Sequence, residues 1–185
     1  NKHGSIGCAI PYCELRIADV DDVSKTMPRG EVGELMVRGP IVMIGYFEDE
    51  EKTRQTLEPD GWLHSGDLGT MDNDGCVFIV DRKKDMILTG GYNVYPAEIE
   101  RVLAEHPDVA LAAVGKQPDE MKGEIAKAYV VLKEGMTVTE QNMIDFCRKS
   151  LAAYKCPRKI QFVDDVPKTS TGKIMRRELY TLDND

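Results

Sequence analysis

The chain has no C-x-x-C pair, although it carries five cysteines, at Cys8, Cys13, Cys76, Cys147 and Cys156. Their odd number and irregular spacing argue against a disulfide framework and against a zinc site, so free thiols in a reducing cytoplasm are the plainer expectation. No stretch reaches the apolar length of a membrane-spanning helix, and none has the layout of a signal peptide. Internal repeats and low-complexity tracts are absent too. Positive charge is in deficit: 24 Lys and Arg stand against 32 Asp and Glu, for a net charge of −8 and a pI near 5.0. That balance argues against a broad nucleic-acid surface or general attraction to anionic membranes, while leaving room for local basic clusters and peripheral membrane contact.

An initiator methionine is also missing. The chain opens on Asn1, has two glycines among its first eight residues and runs directly into strand-like sequence, as if a sheet were entered midway. We therefore expect a piece of a longer protein. With 185 residues the chain suits one large or two small domains. A change of character near Asp81 favours two pieces of about 80 and 100 residues, each near the lower end of what buries a sound core.

Up to residue 80 the pattern is short strands and glycine turns. Residues 12–18 alternate apolar and polar positions, with Leu15 and Ile17 on one face. A second strand is expected over 33–38, between the turn Pro28-Arg29-Gly30 and the break Gly39-Pro40. Residues 48–57 are charge-rich without a breaker and predict a short surface helix ended by Pro59-Asp60-Gly61. Asp72-Asn73-Asp74-Gly75 is a strong turn signal before a strand over 76–80. The expected fold here is a β-rich, barrel-like subdomain.

Residues 81–85, Asp-Arg-Lys-Lys-Asp, form a charged run followed by Met86-Ile87-Leu88 and Gly90-Gly91. The run reads either as a solvated turn or as a hinge. Beyond it, 86–185 predicts a small α+β domain. Pro96 suits the first turn of a helix that presents Ile99, Val102 and Leu103 on one face, and His106-Pro107 closes it. Strands are expected over 109–114 and 126–132. Thr137 and Glu140 have capping-box spacing for a helix carrying Ile144, Cys147 and Leu151 inward, before a last strand over 160–163. Helices should cover one face of the sheet.

Three glycine-containing stretches could carry chemistry. Ser65-Gly66-Asp67 sets a carboxylate beside a residue that lets a ligand approach the backbone, as acidic groups do for ribose hydroxyls, or else is an ordinary turn. Thr89-Gly90-Gly91-Tyr92 either opens room for a narrow ligand or makes a tight turn between strands. The run 167–174, P-K-T-S-T-G-K-I, is not a P-loop, which would need Gly at Pro167 and Ser or Thr at Ile174. What remains is Lys173 on a hydroxyl-rich loop, able to reach a phosphate or carboxylate, or simply solvated.

In this order and spacing, G-W-L-H-S-G-D (61–67), D-R-K-K-D-M-I-L (81–88) with G-Y-N-V-Y-P-A-E-I-E (91–100), Y-K-x-P (154–157) and P-K-T-x-x-G-K-I-x-R-R-E-L (167–179) resemble the C-terminal part of the adenylate-forming superfamily of acyl-CoA synthetases, firefly-type luciferases and peptide-synthetase adenylation domains. The match spans nearly the whole chain. The wording of 81–88 and the helix around Cys147-Arg148-Lys149 look most like bacterial long-chain fatty acid–CoA ligases. Coumarate-type ligases are less similar, since Leu88 and Asn93 stand where they carry lysine and glutamine.

The resemblance implies that 1–80 ends a large AMP-binding domain, that 81–85 is a hinge and that 86–185 is a mobile lid. It implies a two-step reaction in which a carboxylic acid and Mg-ATP give an acyl-adenylate, and the thiol of CoA then displaces AMP. Asp67 would hold the ribose hydroxyls and Arg82 would reach the nucleotide. Lys84 would be the pivot, Gly90, Gly91 and Tyr92 would line the CoA path, and Lys173 would bridge carboxylate and α-phosphate. The superfamily's ATP loop and magnesium-binding acid would lie before Asn1, so the 185 residues alone are expected to form no acyl-AMP. An aryl acid, or a carrier-protein acceptor, is the alternative within the superfamily. A noncatalytic module of the same fold is the other, and the joint retention of Asp67, Arg82, Lys84 and Lys173 counts against it.

Overall fold

In the computed structural model, which describes residues 2–184, the chain divides into two units, Asn1–Lys84 and Asp85–Asp185.

The first unit is built on four antiparallel strands in the order of the chain: β1 (Glu14–Ala18), β2 (Gly33–Arg38), β3 (Leu63–Met71) and β4 (Val77–Arg82). Helix α1 (Glu50–Thr56) lies between β2 and β3, its first turn capped by Asp49, whose side chain accepts from the Lys52 amide. The alternation seen in the sequence sorts side chains to two faces. Ile17, Leu35, Met71 and Val77 bury together on one; Ala18, Met36 and Trp62 bury on the other. Trp62 also lies under the guanidinium groups of Arg16 and Arg38, 4.5 and 4.7 Å from its ring centre. The sheet is an open path with β1 and β4 at its edges, so among the described residues the expected barrel does not close.

Residues 63–71 correct the sequence reading. The glycine in Ser65-Gly66-Asp67 marks a bulge within one nine-residue strand rather than a turn between elements. Between the pairs Glu34↔Leu68 and Met36↔His64, three residues of β3 oppose Leu35 alone. The Ser65 hydroxyl satisfies the displaced backbone by donating to the Leu35 carbonyl at 2.6 Å, and Gly66 takes φ +71°, which a side chain would resist. The turn at 72–75 forms as expected: the Asp72 carboxylate accepts from the Asp74 and Cys76 amides, 2.9 Å each, with Gly75 at φ +79°.

The second unit is an α+β layer. A hairpin of β5 (Ile87–Thr89) and β6 (Tyr92–Val94), with the tight turn between strands that was one reading of residues 89–92, precedes helix α2 (Pro96–Ala104); the long hairpin β7 (Val109–Asp119) and β8 (Gly123–Leu132), helix α3 (Glu140–Arg148) and strand β9 (Lys159–Phe162) follow. Strand order is β6-β5-β8-β7, with β9 parallel to β8. Ile99, Val102 and Leu103 of α2 pack with Met143 and Cys147 of α3 against Val114, Ala128 and Val130 of the sheet. Each large side chain withdrawn from water there contributes about 1.5–3 kcal/mol.

Helix α3 starts two residues later than the capping-box spacing suggested. Thr139, not Thr137, accepts from the Asn142 amide at 3.2 Å, because the Glu140 carboxylate binds the Ile160 amide of β9 at 2.9 Å instead of reaching back to a cap. Met143 and Cys147 are the helix's buried residues, Ile144 is half-buried, and Leu151 buries just beyond the helix end. The helices do share one face. The opposite face is covered by a 3-10 segment, Arg176–Asn184, whose Leu179 packs with Ala113, Tyr129 and Val166.

Candidate functional site

Asp67 and Arg82 are direct partners across β3 and β4, and their side chains form a 2.6 Å ion pair. The bulge that lifts Ser65-Gly66-Asp67 out of register positions this carboxylate, and the Asp67 amide donates back to the Ser65 hydroxyl at 3.1 Å. Beneath it lies a group with no role in the sequence reading. Glu34, 2% exposed in β2, accepts from the Lys83 ammonium at 2.7 Å and from the Gly66 amide at 3.3 Å, and lies 3.2 Å from His64 Nδ1. The other nitrogen of His64 meets Glu58 at 2.9 Å. Burial pushes the Glu34 carboxyl up, but the hydrogen bonds from Lys83 and His64 outweigh it and hold the group below the ordinary glutamate range.

Asp81 and Arg82 belong to β4, and Lys83–Asp85 form a single 3-10 turn. Lys84, exposed in the middle of that turn, is the last residue of the first unit.

Gly90 and Gly91 form the two-residue connection between β5 and β6, at φ +57° and +83°. Both central positions of such a turn are left-handed, which explains two glycines in a row. A Cβ added at either would meet nothing within 4 Å, so the turn is also unobstructed above its backbone. The ring of Tyr92 stacks on that of Tyr154, centroids 4.7 Å apart. Tyr154 stands in the Y-K-x-P stretch, whose Lys155 is held by Glu98 of α2 at 2.8 Å.

Lys173 is exposed on a loop that bonds to itself. The Thr169 amide donates to the Lys173 carbonyl at 2.8 Å, the Lys173 amide donates to the Thr169 hydroxyl at 3.1 Å, and Gly172 turns the chain at φ +80°. Three residues further on, Arg176 makes a two-pronged contact with Glu100 of α2, at 2.9 and 2.6 Å, and lies 3.5 Å from Asp85. The Glu100 carboxylate also accepts from the Val114 amide at 2.9 Å. The base of the lysine loop is thereby tied to α2, β7 and the first residue of the unit.

The structure thus pairs Asp67 with Arg82 and gathers Gly90, Gly91 and Tyr92 in one hairpin, while Lys173 stands on a separate loop of the same unit as that hairpin. Glu34, Tyr154 and Arg176 were not among the site residues read from the sequence. Tyr154 and Arg176 could have been flagged, since both fall inside the stretches that carry the resemblance. Among the described residues no group of three or more His, Cys, Asp or Glu is arranged to hold a metal ion, and no helix is long and apolar enough to cross a membrane.

Comparison with known proteins agrees with this architecture. The chain superposes on ATP-bound MatB from Rhodopseudomonas palustris with a TM-score of 0.90 at 38% identity, over 98% of this chain and 36% of that one. The mixed α/β fold with its antiparallel sheets is therefore that of the adenylate-forming enzymes. Residues 1–47 match the family model of the AMP-binding enzymes and residues 98–173 that of the AMP-binding enzyme C-terminal domain. The chain is 47% identical to a long-chain-fatty-acid–CoA ligase of Escherichia coli, over 95% of this chain and 31% of that protein. It is 45% identical to a 2-succinylbenzoate–CoA ligase of Bacillus cytotoxicus, over 98% and 36% respectively. The chain belongs to the AMP-binding, adenylate-forming enzyme family, and it spans about a third of the length of these relatives.

Proposed function

We propose that this chain is the C-terminal portion of an AMP-forming acyl-CoA synthetase, with a fatty acid as its acid substrate. A carboxylate oxygen attacks the α-phosphorus of ATP and pyrophosphate leaves; the sulfur of CoA then attacks the acyl carbon and AMP leaves. Asp67, aimed by its bulge and steadied by Arg82, accepts the ribose hydroxyls. Arg82 adds positive charge on the nucleotide side. In the first step negative charge grows on the α-phosphoryl oxygens, and the Lys173 ammonium stabilises it more in the transition state than in the ground state. In the second step the Gly90-Gly91 turn, with Tyr92 beside it, gives a narrow thiol-bearing arm a path clear of side chains.

The observation that carries this reading is the division at Lys84. Asp67 and Arg82 fall in the first unit, and Lys173 and the glycine hairpin fall in the second. A reaction that needs an ammonium in one step and an open channel in the next is served by turning one body about the 3-10 turn at Lys84. The magnesium that accompanies ATP would neutralise charge on its phosphates. An aryl acid is the second reading for the substrate, favoured by the 45% identity to the 2-succinylbenzoate–CoA ligase.

The test is a pair of half-reactions in the full-length protein. Lys173→Ala should slow acid-dependent pyrophosphate release by roughly a hundredfold or more, while CoA-thioester formation from a supplied acyl-adenylate largely survives. Equal loss in both steps overturns the role of this lysine. A panel of fatty and aryl acids with the unmodified protein decides between the two substrate readings.

A further inference from the structure

Two of the five cysteines meet. The Sγ atoms of Cys8, which is exposed, and Cys76, which is half-buried, lie 2.7 Å apart. The contact has a backbone cause. Residues 6–8 run antiparallel to β4: the Ile6 amide donates to the Val77 carbonyl and the Val77 amide to the Gly7 carbonyl, each at 2.9 Å, and Gly7 and Val77 form an isolated bridge. Cys8 and Cys76 are the next residues outward from that bridge on the two chains. Facing residues of antiparallel strands have Cα atoms about 4.5–5.5 Å apart, within the range of about 4.4–6.8 Å that a disulfide spans. The pair opens on a pocket of about 600 Å³ lined also by Lys2, Ser5, Ile6 and Asp74. The Lys2 ammonium bonds the carboxylates of Asp72 and Asp74 at 2.5 and 2.6 Å, which ties the leading segment to the turn that precedes Cys76.

The other three cysteines differ in kind. Cys147 and Cys156 are buried in the second unit's core, where burial pushes the Cys147 thiol up to about 12. Cys13 is half-buried and has no cysteine contact among the described residues.

We propose that Cys8 and Cys76 form a thiol–disulfide exchange site, closed reversibly by small disulfides, in a pocket whose lining includes none of the residues assigned to the ligase reaction. The Cys8 thiolate attacks one sulfur of a small disulfide, that S–S bond breaks, and the first small thiolate leaves. The Cys76 thiolate then attacks the Cys8 sulfur of the mixed disulfide and expels the second. Two protein thiols are oxidised to one disulfide, the small disulfide is reduced to two thiols, and the two protein protons go to the departing sulfurs. Cys8 is the first attacker because it is the exposed one. Its hydrogen bond to Cys76, with burial added, pushes the Cys76 thiol above the ordinary range. In a reducing compartment such a pair cycles rather than remaining oxidised.

The experiment uses the 185-residue chain, exposed to oxidised glutathione, quenched with acid, unfolded, alkylated with iodoacetamide and analysed as tryptic peptides. A Cys8–Cys76 linked peptide should be the main product, with the other three of the five cysteines alkylated, and dithiothreitol should restore all five. Cys76→Ser should leave glutathione parked on Cys8, and Cys8→Ser should abolish the linked product with an unchanged circular dichroism spectrum. Persistent glutathione on Cys8 of the unmodified chain, no oxidation at all, or links through Cys13 in comparable yield would each overturn the proposal.

Discussion

The Glu34 carboxylate and the Lys83 ammonium meet at 2.7 Å, although 49 positions separate them in the chain. Glu34 is almost wholly buried, whereas the lysine side chain keeps 36% exposure. One carboxylate thus ties the strand that carries it to the bulge before Asp67 and to the residue before Lys84.

Removing that carboxylate should be costly. Glu34→Ala strands the Lys83 and His64 nitrogens and should lower the unfolding free energy by about 2–3 kcal/mol, a figure already reduced because the lysine end is partly hydrated. Urea denaturation of the 185-residue chain measures it. The pH dependence has a definite sign. Because the folded-state pKa of Glu34 is lowered, its stabilisation is present above the ordinary glutamate value of about 4.3 and is lost as pH falls through the lower folded value. Glu34→Gln should therefore flatten the acid limb of the stability curve below that pH and leave its shape near neutrality unchanged.

Gly33 precedes this glutamate for a steric reason. A Cβ there would stand 2.2 Å from the Ala18 carbonyl oxygen of β1, a backbone atom that cannot swing aside. Gly33→Ala should cost about 3 kcal/mol in the same measurement, through forced separation of β1 and β2. Gly30→Ala is the control: it meets nothing within 4 Å and carries only the strain of φ +87°, about 1 kcal/mol.

Arg176 should govern the loop that ends in Lys173. Arg176→Met leaves Glu100 and Asp85 facing each other without their cation and should destabilise the second unit by about 3 kcal/mol. Hydrogen exchange should quicken at the Met175 and Glu178 amides, which now bond the Pro167 and Met175 carbonyls. Arg176→Lys should recover only part of the protection, since a single ammonium cannot reproduce the two-pronged contact with Glu100.

Leu179 is 1% exposed, and truncating it opens a cavity between the 3-10 segment and the sheet. Leu179→Ala should cost about 2–5 kcal/mol in thermal or urea unfolding. An effect below about 1 kcal/mol would mean that the segment does not seal the sheet's second face.

Several elements were legible before any coordinates. Strand β2 stands between a Pro-Gly turn and a Gly-Pro break, and α2 announces itself by Pro96 and the spacing of Ile99, Val102 and Leu103; both formed where expected. Strand β3 was not legible, because Gly66 reads as a breaker unless a partner strand supplies the Ser65 and Glu34 contacts that hold its bulge. The 3-10 segment at the C-terminus was hidden for a similar reason: its sequence is strongly polar, and the burial of Leu179 depends on a sheet face exposed by other elements. The candidate site divides along the same line. Asp67, Arg82 and Lys173 stand out as residue types in recognisable stretches, whereas Glu34 is indistinguishable from any other glutamate in a strand.

What the amino-acid order alone determined is local: which segments alternate, which turn, and the family to which these stretches point. Backbone preference and side-chain period act over a few residues and need no partner. The tertiary structure decided which groups meet across long separations, Glu34 with Lys83, Arg176 with Glu100 and Cys8 with Cys76. The reason is physical: the energy of a buried ion pair or a thiol contact depends on distance and desolvation, and both exist only once strands far apart in the chain have been laid side by side.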